Sequence, residues 1–160
     1  MFKANKSTQN NKFPVRISEM MILVAEDSRA YALLYKQIFE SQGHTVVTTT
    51  DGLECLALYE NQVKARKTNK TPPYDAVILD YKMPKKDGVE TAKEILSMVP
   101  NQKILFITAF GDSISKMDFK GNNIELIQKP FNSLDLVNKV EGLSQFNEFI
   151  KTDSDPKIIL

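Results

Sequence analysis

Five polar residues stand where apolar runs of the sequence end, and their types suggest a site for a divalent cation. They are Glu26, Asp27, Asp80, Thr108 and Lys129. Three carboxylates brought together repel one another, and some are driven to take up protons unless a cation offsets the repulsion. Mg²⁺ favours a few carboxylates together with water and phosphate oxygens. If the fold collects these residues, they form a site that suits Mg²⁺ with water and phosphate oxygens as its other ligands.

The elements that must position them alternate between short apolar runs and amphipathic stretches. Strands are predicted at 20–25, 45–50, 75–79, 103–107 and 124–127, and helices at or just after Ser28, Asp51, Asp87, Asp112 and Ser133. Leu53 and Leu134 are among the helical positions predicted to face inward. Such an alternation predicts a doubly wound α/β domain with a parallel sheet covered by helices on both faces. The carboxyl ends of the strands, where ligands bind in this architecture, would carry all five polar residues.

Composition restricts the function classes. The chain has 160 residues, a formal net charge of +1 and a single cysteine, Cys55. We therefore expect one domain without an intrachain disulfide, a cytoplasmic protein without a membrane span, and no direct DNA binding. Residues 1–19 are predicted to be a flexible basic arm and 20–143 the folded domain. Residues 144–160 are predicted to be a tail or helix extension that contains no output domain.

Four separated stretches carry a resemblance to a known family. They are Ile22–Ser28 (ILVAEDS), Asp80–Gly88 (DYKMPKKDG), Ile107–Ala109 (ITA) and Lys129–Phe131 (KPF). In order and spacing they resemble the receiver domain of two-component response regulators, a resemblance that covers about residues 20–143. It implies a flavodoxin-like, five-stranded parallel sheet with the strand order 2-1-3-4-5 and helices on both faces.

The resemblance also implies roles for the acidic residues. Asp80 would be the phospho-acceptor, whose carboxylate attacks phosphohistidine and becomes an aspartyl phosphate. Asp27, Asp80 and the main-chain carbonyl of Lys82 would ligate Mg²⁺, and Glu26 would hold the ion through water. The protein would catalyse only its own phosphorylation and dephosphorylation.

The remaining site residues are assigned in the same way. Lys129 would neutralise charge on the transferring group, and Thr108 would move its hydroxyl onto the phosphoryl group. Ala109 would leave the phosphoryl group room, and Pro130 would follow a cis peptide bond that directs Lys129. Leu126 stands where the family often has an aromatic residue, which suggests a weaker or differently routed output change.

The resemblance implies partners as well. A sensor histidine kinase or a histidine phosphotransfer protein would supply the phosphoryl group, and an unidentified protein target would read the switched state. Target binding, or a homodimer, would use the fourth and fifth predicted helices and the fifth strand. A relay intermediate that passes the phosphoryl group on is the alternative, docking through Tyr31, Leu34 and Tyr35 of the first helix.

Two further readings are less favoured. A pseudo-receiver that only binds proteins would lack part of the acidic set. A phosphohydrolase of the aspartyl-phosphate type needs a second acid two residues after the first strand's aspartate, where this chain has Arg29.

The long connection 63–74 is predicted to be a solvated loop. Lys82 and Phe110, which flank the acceptor and the threonine, suggest slow autodephosphorylation.

Overall fold

The computed structural model describes residues 18–66, 71–109 and 123–152, with side chains described as far as residue 143. The strands are β1 (Met21–Ala25), β2 (Thr45–Thr49), β3 (Ala76–Asp80), β4 (Ile104–Thr108) and β5 (Ile124–Gln128). The helices are α1 (Arg29–Ser41), α2 (Gly52–Ala65), α3 (Gly88–Met98) and α4 (Ser133–Thr152). The helix predicted after Asp112 lies outside the described residues, so α4 is the helix predicted as the fifth.

The five strands form one parallel sheet in the order β2-β1-β3-β4-β5. This confirms the predicted doubly wound fold and its strand order. β3 and β4 are apolar along almost their whole length because each is covered on both faces. The strand order also places the carboxyl ends of β1, β3, β4 and β5 side by side.

Each face of the sheet has its own core. On one face, α2 and α3 bury residues that include Cys55, Tyr59, Ala92, Ile95 and Phe106. On the other face, α1 and α4 bury residues that include Tyr35, Phe39, Leu105, Leu136 and Val140. None of the helices within the described ranges has a stretch long and apolar enough to cross a membrane.

Short polar side chains start three of the helices, as predicted. Ser28 accepts a hydrogen bond from the backbone N–H of Tyr31 at the start of α1, and Asp51 accepts one from Glu54 at the start of α2. Asp87 and Glu90 form a reciprocal capping box at the start of α3. Because these caps hold the helix starts, the loops that leave β1 and β3 are anchored directly beside the sheet edge.

Some predicted orientations of helix residues are wrong. Leu53 and Leu134 are exposed rather than inward, since the buried positions of α2 and α4 lie on other sides of these helices. Tyr35, predicted as a possible docking residue, is only 1% exposed and belongs to the core. Leu34 and Tyr31 are both exposed, so only these two of the three proposed docking residues remain accessible.

Candidate functional site

The carboxyl edge of the sheet brings all five predicted site residues to one pocket. Glu26 and Asp27 follow β1, Asp80 and Thr108 end β3 and β4, and Lys129 follows β5. A pocket of about 200 Å³ is lined by these five together with Ser28, Tyr31, Tyr81, Lys82 and Ala109. Parallel strands explain the convergence, because all their carboxyl ends reach the same edge.

Three carboxylates form the acidic part of the site. Glu26, Asp27 and Asp80 each offer an oxygen atom within 4.8 Å of the others. Glu26 is only 2% exposed, and burial together with the charge of Asp80 raises the pKa of its carboxyl group. A hydrogen bond of 3.0 Å from the backbone N–H of Ser28 opposes that rise. Three hard oxygen donors so close together fit a hard divalent cation.

Lys129 is the cation that faces this cluster. Its Nζ atom donates to Oδ1 of Asp80 at 3.0 Å and to Oε2 of Glu26 at 3.2 Å. Burial lowers the pKa of this ammonium group, but the hydrogen bonds and charges of Asp80 and Glu26 outweigh burial and raise it overall. Lys129 therefore stays charged, and it lies where it can neutralise a group attached to Asp80.

The Asp80 side chain is held at both of its oxygen atoms. Oδ1 accepts from Lys129, and Oδ2 accepts from the backbone N–H of Lys82 at 3.1 Å. Tyr81, the residue between them in the chain, donates its backbone N–H to the carbonyl of Ile107 at 3.1 Å and so continues the pairing of β3 with β4. The carboxylate is thus fixed at the floor of the pocket, with its side chain only 12% exposed.

Thr108 and Lys129 are joined through the backbone. Thr108 is 1% exposed, and its carbonyl oxygen accepts a hydrogen bond of 2.7 Å from the backbone N–H of Lys129. The peptide bond between Lys129 and Pro130 is cis, as predicted. Phe110, predicted to flank the site, lies outside the described residues.

Sequence reasoning missed two interactions at the site. The ring of Tyr31 lies against Lys129, with Nζ at 4.1 Å from the ring centroid. Lys85 of the β3–α3 loop donates to the Asp51 carboxylate that starts α2. The first had a weak signal: Tyr31 lies in the first turn of the helix whose cap, Ser28, directly follows Asp27, so its ring begins close to the acidic edge of the sheet. The second had none, because no sequence pattern connects a loop lysine to a distant helix cap.

Comparison with known families gives one match that spans most of the chain. Residues 22–141 match the family model described as the response regulator receiver domain. The transcriptional regulatory protein TcrA of Mycobacterium tuberculosis is 31% identical over 133 residues, which cover 81% of this chain and 48% of TcrA. The response regulator receiver protein CpdR of Brucella abortus is 28% identical over 123 residues, which cover 76% of this chain and 94% of CpdR.

Some curated relatives have longer chains. The transcriptional regulatory protein CpxR of Escherichia coli is 27% identical over 123 residues, which cover 48% of CpxR. The chain thus spans about half the length of CpxR and TcrA.

Solved structures agree on the fold. A response regulator receiver domain protein from Clostridium thermocellum superposes with a TM-score of 0.69 at 24% identity, covering 81% of this chain and 98% of that one. A CheY-like receiver domain protein from Methanospirillum hungatei gives a TM-score of 0.64 at 25% identity, covering 82% and 99%. Both are similar to this chain along almost their whole length.

Proposed function

The chain belongs to the response regulator receiver domain family, and from that premise we propose that it accepts a phosphoryl group from phosphohistidine onto Asp80. The observation that carries this proposal is the Asp80 carboxylate itself. It ends β3 at the floor of the pocket, faces the Lys129 ammonium and shares an acidic cluster with Glu26 and Asp27. A sensor histidine kinase or a histidine phosphotransfer protein is the proposed donor.

In the proposed step, a carboxylate oxygen of Asp80 attacks the phosphorus atom. The new O–P bond forms as the P–N bond of phosphohistidine breaks, and the electron pair of that bond stays on the imidazole nitrogen, which then takes up a proton. Phosphoryl transfer depends chiefly on positioning and on neutralising charge, so few covalent steps are left for the protein. Because both oxygens of Asp80 already accept hydrogen bonds, the nucleophile needs little reorganisation.

The charge of the transferring group is met by this chain's own residues and by a divalent ion. Nζ of Lys129 lies 3.0 Å from Oδ1 of Asp80, so it can donate hydrogen bonds to the phosphoryl oxygens once the group is attached. We propose that Glu26, Asp27, Asp80 and the main-chain carbonyl of Lys82 hold Mg²⁺, which supplies charge neutralisation for the phosphoryl oxygens when bound. Glu26 would hold the ion through water, since it is the most buried of the three carboxylates and already accepts from Ser28 and Lys129.

Thr108 links the chemistry to a change of shape in this proposal. Its side chain is buried at the end of β4 beside the pocket, within reach of a group attached to Asp80. Hydrogen bonding to the new phosphoryl group would favour a second conformation, and the changed surface would alter partner binding. Lys82, which is exposed at the rim, would shield the acyl phosphate and slow its hydrolysis.

Two roles fit this chemistry, and one observation bears on the second. A stand-alone effector would bind its target, or a second copy, through β5, α4 and the segment between β4 and β5. A relay intermediate would instead dock phosphotransfer partners on α1, where Tyr31, which lines the pocket, and Leu34 are 40% and 42% exposed. A pseudo-receiver without phosphorylation is the remaining alternative.

The test of phosphorylation is intact mass after incubation with acetyl phosphate. We expect one phosphoryl addition that requires Mg²⁺, is absent from Asp80→Asn, and is released by hydroxylamine as acyl phosphates are. Asp87→Asn is the matched control, because Asn also caps a helix and Asp87 lies outside the pocket. No addition to the wild-type chain would favour the pseudo-receiver, and an addition that survives in Asp80→Asn would place the acceptor elsewhere.

A further inference from the structure

The ammonium group of Lys129 has a third neighbour besides its two carboxylates. Asp80 and Glu26 accept hydrogen bonds from Nζ at 3.0 and 3.2 Å, and the ring centroid of Tyr31 lies 4.1 Å from the same atom. An ammonium group within about 6 Å of a ring centroid is attracted by the electron-rich face of the ring. An ammonium group has three N–H donors. Within the described part of the chain, two of them can point to the carboxylates and the third to the ring of Tyr31.

Other aromatic rings fix the position of Tyr31. Its ring stacks on Tyr35, with centroids 5.9 Å apart and planes at 27°. Tyr35 is 1% exposed and in turn contacts Phe131, with centroids 6.0 Å apart. Phe131 lies two residues after Lys129. The segment that carries the ammonium group therefore contacts α1 at two points. Lys129 contacts the ring of Tyr31, and Phe131 contacts the ring of Tyr35.

The exposure of the two side chains shows which one shields the other. Tyr31 is 40% exposed, whereas the side chain of Lys129 is only 15% exposed. The ring is part of the wall of the pocket, and it replaces water on one side of the ammonium group. A cation–π contact gains strength when water is excluded from the cation.

We infer that Tyr31 is a positioning residue for Lys129: its ring holds the ammonium group at the Asp80 carboxylate, where charge develops during phosphoryl transfer. This inference rests on the proposed function, because it concerns the same site. It assigns to α1 a part in the reaction that is separate from the docking of partners. Removing the ring frees Lys129 to sample other rotamers, so less of the protein has its positive charge beside Asp80.

The test compares two substitutions of Tyr31 with a control on the same helix. Tyr31→Leu removes the aromatic face but keeps an apolar side chain of high helix propensity, and Tyr31→Phe keeps the face. Leu33→Ala changes a residue that is 54% exposed and does not line the pocket. With acetyl phosphate at saturating Mg²⁺, we expect Tyr31→Leu to slow phosphorylation about fivefold, as the loss of a partly shielded cation–π contact does. Tyr31→Phe and Leu33→Ala are expected to stay within about twofold of wild type, because the first keeps the ring face and the second lies outside the pocket.

A nuclear magnetic resonance signature separates positioning from a general effect on the fold. Protons above an aromatic face resonate upfield, so the Lys129 ε-methylene protons should be shifted upfield in wild type and Tyr31→Phe. In Tyr31→Leu they should return to the range of exposed lysines, while the Mg²⁺ concentration for half-maximal phosphorylation stays unchanged because the carboxylates remain.

The outcomes are distinguishable. An ordinary Lys129 shift in wild type, or a Tyr31→Leu variant that phosphorylates at the wild-type rate, overturns the positioning role. Loss of activity in Tyr31→Phe as large as in Tyr31→Leu also overturns it, because the ring face is then not what matters. If wild type is never phosphorylated, the proposed function fails and the role in transfer fails with it, whereas an upfield Lys129 shift would still establish the contact.

Discussion

The α-carbon of Gly88 lies so close to the carbonyl oxygen of Asp80 that a Cβ atom on Gly88 would lie 2.3 Å from it. The same Cβ atom would lie 3.2 Å from the carbonyl carbon of Asp80 and 3.3 Å from the α-carbon of Tyr81. These neighbours are backbone atoms at the end of β3 and cannot rotate away. The start of α3 is therefore pressed against the acceptor residue, and only glycine leaves room for this contact.

Replacing Gly88 by alanine should accordingly damage both stability and the site. We expect Gly88→Ala to lower the free energy of unfolding by about 1–3 kcal/mol, as over-packing against fixed atoms does, and to slow phosphorylation by displacing Asp80. Urea unfolding and the acetyl phosphate assay would measure the two effects.

Gly142 provides the matched control. It lies in α4, and a Cβ atom there would meet nothing within 4 Å. Gly142→Ala should raise stability by about 0.5–1 kcal/mol because alanine favours the helix interior. Equal effects of the two substitutions would contradict the argument from the Asp80 contact.

The Lys85–Asp51 ion pair should contribute stability that depends on pH. The Lys85 side chain, followed by the N–H of Glu54, lowers the pKa of the buried Asp51 carboxyl group below its ordinary value of 3.8. A lowered folded-state pKa gives stability that is present above pH 3.8 and is lost as the pH falls through the folded-state value. Lys85→Gln should therefore lower Tm at pH 7, and the gap to wild type should shrink below pH 3.8.

Thermal unfolding at a series of pH values measures this gap. Lys64→Gln is the control, because Lys64 forms an i,i+4 pair with Glu60 on the exposed side of α2 and should change Tm little at any pH. Lys85 also has a positive φ of 66°, which glycine adopts freely, so Lys85→Gly should lose less stability than Lys85→Gln. A gap between wild type and Lys85→Gln that stays constant down to acid pH would contradict the prediction.

Mg²⁺ should stabilise the folded chain through the same carboxylates that we propose as ligands. A ligand at ten times its dissociation constant adds about 1.4 kcal/mol, which raises Tm by roughly 3–6 °C in a domain of this size. Asp27→Asn should reduce this rise in Tm, because it removes one negatively charged ligand from the cluster. Differential scanning calorimetry with and without a chelator measures the effect, and Asp75→Asn, outside the pocket, would be expected to keep it. An equal rise in Asp27→Asn would remove Asp27 from the ligand set.

The fold could be predicted because its strongest signals are local. Each strand that the sheet buries on both faces is a short apolar run, and the caps at Ser28, Asp51 and Asp87 mark where helices begin. The convergence of the site followed from the fold alone, because parallel strands end at one edge. No contact between side chains had to be known to place Asp80 beside Lys129.

What the sequence did not reveal depends on how helices rotate and on contacts distant in sequence. Leu33, Leu34 and Tyr35 are adjacent in α1, yet only Tyr35 is buried, because the sheet covers less of the helix than its apolar residues suggest. The contact of Tyr31 with Lys129 joins residues that lie far apart in the sequence, near the start and the end of the domain. The left-handed backbone of Lys85 could not be foreseen, since lysine rarely adopts that conformation.

Two buried tyrosines should lose different amounts of stability when the hydroxyl group is removed. The Tyr59 hydroxyl donates to Oε1 of Gln102 at 2.7 Å, and both residues are fully buried. Tyr59→Phe leaves that amide oxygen without its donor, and we expect a loss of about 1–3 kcal/mol. The Tyr35 hydroxyl is also buried; it makes no hydrogen bond of regular geometry among the described residues, but the Glu26 carboxylate is close enough to interact with it.

Tyr35→Phe should cost less than Tyr59→Phe, because the Tyr35 hydroxyl makes only an imperfect contact with the Glu26 carboxylate and burial leaves it poorly satisfied. Burial and the nearby charges of Glu26 and Asp80 raise the pKa of the Tyr35 phenol, so this hydroxyl stays protonated. Tyr35→Phe therefore removes no charge. Urea unfolding of the two variants at pH 7 compares the same chemical change at two sites. A cost for Tyr35→Phe as large as that for Tyr59→Phe would show that the contact with Glu26 is worth a full hydrogen bond.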